Sequence, residues 1–386
     1  MMGVLSHLST LLLLSLLPPA LSHVVVKFSD VPQCKTFFLE GTTPNLTGIL
    51  VGGTVQNQNR YKPICQLYKN ISRFATLYDT TNKIPVFSAY TFTGKVVGRP
   101  SQSWMIEPQV VLISIHSTCV FITGILYITD SYVTKSVLDD GASGSSNLYS
   151  FNMCIYYWYT VYHRQLCYQV SPGLMFLQLE GVEEEEMKTQ SVVKKRNNNK
   201  DIRFQAVNKD YDNNNLSLHK GHLFPCSYAP NNDTKRSTFT LTNAVPQYQN
   251  FNQGRWSQME GKVREALVKN CKDNNNMIKA YVVTGAVPSN NNTLNNRVNI
   301  PYLMWTAYCC YNNTKNWTVG AYWGENTNGS GSILNLETLG KLEAKLNQSY
   351  NGTVKVFHDN CPRNITVQQV NTRTREETES ECVEIS

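Results

Sequence analysis

Charge is scarce in this chain of 386 residues, where Asp, Glu, Lys and Arg together make up only 16%. The N-terminal stretch has no Lys or Arg at all, and Val110 to Thr129 runs for twenty positions without a formal charge. At the other end there is no retention signal, no GPI-type tail and no closing apolar span, so nothing there predicts an anchor. A regular alternation of strand and helix signals is also missing, which argues against a parallel, doubly wound sheet. His219 and His222 have no further Cys or His close by, so the pair does not predict a zinc site.

The remaining features are more specific. Leu8 to Leu17 is an apolar core, followed by Pro18-Pro19 and the small-residue site Ala20-Leu21-Ser22. This reads as a signal peptide over residues 1–22, too short for a good membrane span. It predicts a secreted protein whose 11 cysteines are mostly disulfide-bonded. Cys34 with Cys65 is an expected bridge. Cys226 is expected to be half of another, and adjacent Cys309 and Cys310 are expected to find distant partners. Asn-x-Ser/Thr sites at Asn45, Asn70, Asn215, Asn232, Asn291, Asn312, Asn316, Asn328, Asn347, Asn351 and Asn364 predict glycosylated surface loops. The formal charge of +7 suits an anionic partner such as nucleic acid or a membrane surface.

Along the chain, residues 34–67 read as loop-rich. Arg73 to Tyr78 and Ile84 to Tyr90 read as strands joined by the turn Asp79-Thr80-Thr81-Asn82. Thr238 to Thr242 alternates Phe239 and Leu241 with threonines, which predicts a half-buried strand. From Asn252, Trp256, Met259, Val263, Ala266 and Leu267 share one helical arc, and Asn252 and Glu260 fall within it. Polar groups on a buried face need partners, and a hydrated metal ion would supply them. Met277 to Val287, Tyr302 to Tyr311 and Trp317 to Trp323 read as strands, and Leu336, Leu339, Leu342 and Leu346 as a helix. Glu183 to Glu186 followed by Lys194-Lys195-Arg196 reads as a solvated loop. The fold class expected is α+β, with a mixed, mainly antiparallel sheet.

Residues 110–178 differ in composition, with eight tyrosines and no glycosylation site. The uncharged run is long enough to span a bilayer, but its serines, threonines and His116 make it a poor span. A translated, retained intron fits better. Gln109-Val110 is encodable as CAG followed by GT, and Phe176-Leu177-Gln178 as a pyrimidine-rich stretch ending in CAG. Excision would remove 178 − 110 + 1 = 69 residues in frame and leave 11 − 3 = 8 cysteines. The expected organisation is therefore a single domain over 23–365, interrupted by 110–178, with a polar tail over 366–386.

The chemistry concentrates in Lys220-Gly221-His222, Asn243-x-x-Pro246-Gln247 and Asn252-Gln253-Gly254-x-Trp256-x-x-x-Glu260. In order and spacing these resemble the DNA/RNA non-specific endonuclease family, built on a ββα-metal (His-Me finger) core. Arg60 to Gln66, Arg73 to Asp79 and Trp104 to Gln109 resemble it too, so the likeness spans roughly 30–109 and 179–365. The resemblance implies hydrolysis of phosphodiester bonds in DNA and RNA, through backbone contacts that carry no base information. It makes His222 the general base, Asn252 the direct ligand of Mg²⁺ (or Mn²⁺), and Glu260 the holder of metal-bound water. Asn243 would orient the site, and Lys220 and Arg99 would contact phosphate. The family usually reads Asp-Arg-Gly-His where this chain has His219-Lys220-Gly221-His222. That departure implies a looser mounting of His222 and a phosphate contact without arginine's bidentate fork. A catalytically weakened binding protein on the same scaffold is the alternative, and a membrane-anchored protein depends wholly on residues 110–129.

Overall fold

The computed structural model describes residues 24–101, 103–107, 186–199, 201–212, 214–273, 275–311, 317–329 and 331–366, with the backbone of Asn152–Tyr157 and Arg164–Gln169. Two compact units emerge, one from residues 1–111 with 177–386 and the other from 112–176. In the second, Asn152–Tyr157 and Arg164–Gln169 pair antiparallel. The boundaries come within two residues of the 110–178 compositional block. The signal peptide, the uncharged run and the tail beyond Thr366 lie outside the described residues.

In the first unit, three long strands come early: β1 (Tyr61–Tyr68), β2 (Ile71–Asp79) and β3 (Ile84–Phe92). Short strands β4 (Met105–Ile106) and β5 (Lys188–Thr189) follow, then helices α1 (Gln190–Arg196) and α2 (Asn208–Tyr211). Next are β6 (Leu218–His222), α3 (Asn232–Ser237), β7 (Ala244–Tyr248) and α4 (Ser257–Asn270). β8 (Ala280–Val287), β9 (Leu303–Tyr311), β10 (Trp317–Glu325) and α5 (Leu339–Tyr350) complete the frame. The main sheet runs β10-β9-β8-β3-β2-β1, antiparallel throughout, so the expected α+β class holds.

Successive strand residues point to opposite faces of a sheet, and β9 shows the sorting clearly. Met304, Tyr308 and Cys310 join the apolar cluster that contains Leu218, Val245, Trp256, Met259, Val263 and Leu267. Leu303, Trp305, Ala307 and Cys309 join the opposite cluster, with Leu339, Leu342 and Leu346 of α5. The sheet therefore separates a layer bearing the β6–β7 hairpin and α4 from a supporting layer bearing α5. Disulfides follow the same sorting. Cys310 bonds Cys271 on the α4 side and Cys309 bonds Cys361 on the α5 side, while Cys34 bonds Cys65 as expected. Cys226 is disulfide-bonded too.

Several local expectations fail for identifiable reasons. Thr238 to Thr242 is not a strand. The Thr238 hydroxyl donates to the Lys235 carbonyl at 2.8 Å, ending α3, and Leu241–Asn243 is a 3-10 turn. Only Thr240 makes a bridge, to Met105. Lys194-Lys195-Arg196 closes α1 rather than a loop, because Val193 buries fully against the core. The 34–67 stretch contains all but the last residue of β1. The strand expected from Met277 begins only at Ala280, with Met277 exposed, and Leu336 precedes α5 instead of joining it.

Candidate active site

β6 and β7 form an antiparallel hairpin-like pair whose register places His222 opposite Ala244 and His219 opposite Gln247. His222 thus sits in a ladder. Lys220 and His222 share one face of β6 by strand alternation, and Gly221 shares the other with His219. On the His222 face the imidazole packs between two aromatic rings, Trp104 at 4.9 Å and Phe239 at 4.7 Å between centroids. The Lys220 ammonium lies 5.7 Å from the centre of the Trp104 ring and 5.2 Å from that of Tyr211. The Arg99 guanidinium lies 5.5 Å from the centre of the Phe239 ring. Three predicted residues, His222, Lys220 and Arg99, therefore meet around Trp104 and Phe239.

His222 is largely buried and its Nε2 has no hydrogen-bond partner. Burial, and then the nearby Arg99 charge, push its pKa down to about 3. The ring is consequently neutral near pH 7 and can accept a proton.

Asn243 plays a different part. Its side-chain oxygen accepts from the Ser88 hydroxyl at 2.9 Å and the Phe224 N–H at 3.0 Å. Its amide nitrogen donates to the carbonyls of Phe224 at 3.1 Å and Thr238 at 3.0 Å. Every polar position of this buried amide is in use. It ties the residues just after His222 to β3 and to the end of α3, leaving no donor for a ligand.

Asn252 and Glu260 lie on the helical segment after the hairpin. The stretch Phe251–Trp256 is a π-helix in which Gly254 departs from helical dihedrals (φ −97°, ψ −108°), and the regular α-helix starts only at Ser257. The single 100° arc expected for Asn252 and Glu260 is broken at Gly254. Such π-turns are frequent at functional sites. Asn252 is largely buried. Glu260 keeps some exposed surface, yet desolvation of its carboxyl pushes the pKa up to about 8, with Trp256 and Arg264 opposing the shift. Its backbone carbonyl accepts from the Tyr228 hydroxyl at 2.6 Å. Tyr90 packs on Tyr228 at 6.3 Å and stacks on Phe224 at 4.0 Å between centroids. Glu260 is thereby linked through buried aromatics to the residue that Asn243 holds.

A hard divalent cation fits these donors. The side-chain amide oxygen of Asn252 and the Glu260 carboxylate, whose pKa burial raises, are oxygen ligands whose polar or charged form a cation stabilises. Among the described residues no three His, Cys, Asp or Glu side chains cluster as a metal cage. Mg²⁺ commonly keeps several waters and takes few protein ligands.

Sequence reasoning did not single out the aromatic supports Trp104, Phe239 and Tyr211. Trp104 stood within a family-like run, but its contact with His222 is purely tertiary. Gln247 was also passed over as a site residue. It is fully buried, and neither polar atom of its amide has a partner.

A strand pair followed by a helix, carrying His222, Asn252 and Glu260 in that order, is a ββα arrangement. The sequence profile of the DNA/RNA non-specific endonucleases matches residues 163–364, and the chain belongs to that family. The match begins inside the 110–178 block. Endonuclease domain-containing 1 protein from Homo sapiens is 26% identical over 288 residues, covering 75% of this chain and 41% of its own length. The Mus musculus protein of the same name is also 26% identical over 288 residues, covering 75% and 40%. The chain thus spans about two fifths of the length of these curated relatives. A solved EndoG/EndoGI complex, described as showing the mechanism of EndoG inhibition, aligns at 14% identity and a TM-score of 0.38 over 74% of this chain and 84% of its own.

Proposed function

We propose that the chain is a secreted, divalent-metal-dependent endonuclease that hydrolyses phosphodiester bonds in DNA and RNA. The observation that carries this reading is the neutral, buried His222 with an unpartnered Nε2, flanked by the Arg99 and Lys220 cations. Nε2 would take the proton of the water that attacks phosphorus. Arg99 and Lys220 would hold the non-bridging phosphate oxygens through contacts indifferent to base identity. An incoming phosphate offsets the Arg99 charge and so moves His222 back toward the range suited to a base. Asn252 would hold Mg²⁺ (or Mn²⁺) through its amide oxygen, and Glu260 would hold its waters. When bound, the ion supplies charge stabilisation for the phosphorane-like state and the leaving oxygen. Asn243 keeps the chain after His222 in place. The disulfides on both sides of the sheet support an oxidising, extracellular setting.

The purified chain is incubated with supercoiled plasmid or with RNA and Mg²⁺. His222→Ala is expected to lower the cleavage rate by at least about a hundredfold, the low end for loss of a general base. Equal cleavage by parent and variant overturns the assignment. The second reading, a catalytically weakened binding protein, rests on His219-Lys220 standing where the family has Asp-Arg. It gains if the parent binds nucleic acid but cuts none with Mg²⁺, Mn²⁺ or Ca²⁺.

A further inference from the structure

The most deeply placed cation described is not one of the predicted site residues. Lys235 belongs to α3 and is 2% exposed. Its ammonium donates to the backbone carbonyls of Val96 and Gly98. Those carbonyls belong to the loop 93–99, which leaves β3 and ends at Arg99. The loop is attached to the same region a second time, where the Val96 N–H donates to the Ala229 carbonyl at 3.2 Å. Val97 in this loop is 71% exposed, and Gly94 and Gly98 are in left-handed conformations (φ 119° and 88°). Glycines of this kind place little restraint on the chain themselves. The two bonds from Lys235 fix the carbonyl of Val96 and that of Gly98, the residue next to Arg99. A buried ammonium is costly unless hydrogen-bonded, and bonds from a charged donor are stronger than neutral ones.

We propose that Lys235 is a positioning residue that fixes the 93–99 loop as a phosphate clamp, holding Arg99 beside His222. It acts through Arg99 and touches no substrate itself. The clamp rests on the nuclease reading above, whereas the grip on the loop does not. Lys235→Met keeps the length and apolar stem of the side chain and removes the charged donor.

Two measurements on the full chain test the proposal. The first is tryptic cleavage at the Lys95–Val96 bond, followed by mass spectrometry under native conditions. Lys235→Met is expected to be cut there about tenfold faster than the parent, as a freed loop opens locally more often. An unchanged rate overturns the grip. The second is anisotropy of a labelled single-stranded oligonucleotide, without metal, for the parent, Arg99→Ala, Lys235→Met and the double variant. Each single change is expected to weaken binding about fivefold to tenfold, and the double variant no more than about twofold beyond Arg99→Ala alone. Multiplicative losses, on the order of fiftyfold, overturn action through Arg99. If Lys235→Met does not fold, Lys235→Arg serves in both arms, because it keeps a cation but alters the donor geometry. It is expected to weaken binding less than Arg99→Ala and non-additively with it, and additive loss again refutes the coupling. A parent that neither binds nor cuts nucleic acid defeats the nuclease reading, and the proteolysis arm still decides the grip.

Discussion

Gly221 stands one residue before His222, and the space beside it is already filled. A Cβ built there would lie 1.7 Å from Gln247 Oε1, 2.2 Å from Cδ and 2.5 Å from Cγ. Ordinary contact begins at 3.4 Å, so Gly221→Ala demands a movement of 3.4 − 1.7 = 1.7 Å. Gln247 has no exposed surface into which to swing. Overpacking of this sort costs about 2 kcal/mol, which corresponds to a fall in Tm of about 3 °C for a domain of this size. Part of the movement passes to β6, and a displacement of about 1 Å at a catalytic group lowers rates on the order of a hundredfold. Thermal unfolding by circular dichroism and plasmid nicking would be measured for Gly221→Ala, Gln247→Ala and the pair. Gln247→Ala removes the obstructing atoms, so adding Gly221→Ala in that background is expected to cost less than about 0.5 kcal/mol. Additive destabilisation, or a Gly221→Ala protein with parental Tm and rate, would refute the claim that Gln247 fills this space.

Three further outcomes follow from other parts of the molecule. Arg99→Ala removes a charge that depresses His222, so the acid limb of the pH–rate profile should move to higher pH, and an unmoved limb would contradict the pairing. Burial lowers the Lys62 pKa to about 8, although its ammonium donates to the Gln58 carbonyl at 2.6 Å. Between about pH 8 and the usual lysine range the unfolded chain binds the extra proton, so stability should rise with pH there by up to about 3 kcal/mol. Lys62→Met should abolish that slope in urea titrations between about pH 7.5 and 10. The flanks of the 110–178 block pair with each other, Met105 with Thr189 and Ile106 with Lys188. A chain joined from Gln109 to Leu179 should therefore fold with a Tm within a few degrees of the parent, and cDNA sequencing should find mainly messages that lack the block.

Much of the frame was legible because local and tertiary preferences agree. β2 and β3 follow from apolar runs flanking Asp79-Thr80-Thr81-Asn82, where Asp79 accepts from the Thr81 and Asn82 N–H groups and turns the chain. The order His222, Asn243, Asn252, Glu260, on which the candidate site rests, was legible in the sequence too. Less legible was whatever depends on side chains bonding to nearby backbone. The threonines of 238–242 suit a strand by pattern, yet the hydroxyl of Thr238 and the amide of Asn243 bind local carbonyls and curl the segment. The phase between Asn252 and Glu260 was hidden because one non-helical glycine resets it. Lys235 gave no signal whatever, since sequence alone does not distinguish a buried lysine from the other cations on a polar helix. The meeting of Trp104, Phe239 and His222 joins three distant segments, and only the assembled sheet brings them together.

Cys309 and Cys310 have a consequence for the order in which this protein assembles. Neighbours on a strand project to opposite sides, so in the finished sheet each thiol is presented to only one layer. Exchanged partners, Cys309 with Cys271 and Cys310 with Cys361, would each have to pass a tether through the sheet. Docking of β9 between β8 and β10 therefore selects the correct partner for each cysteine. Oxidation before the sheet forms joins either cysteine to either partner, and a crossed bond must be reduced before the strand can be inserted. Renaturation of the reduced chain should accordingly stall with an oxidant alone, and proceed when a thiol–disulfide couple lets the two cysteines exchange partners after the sheet has formed.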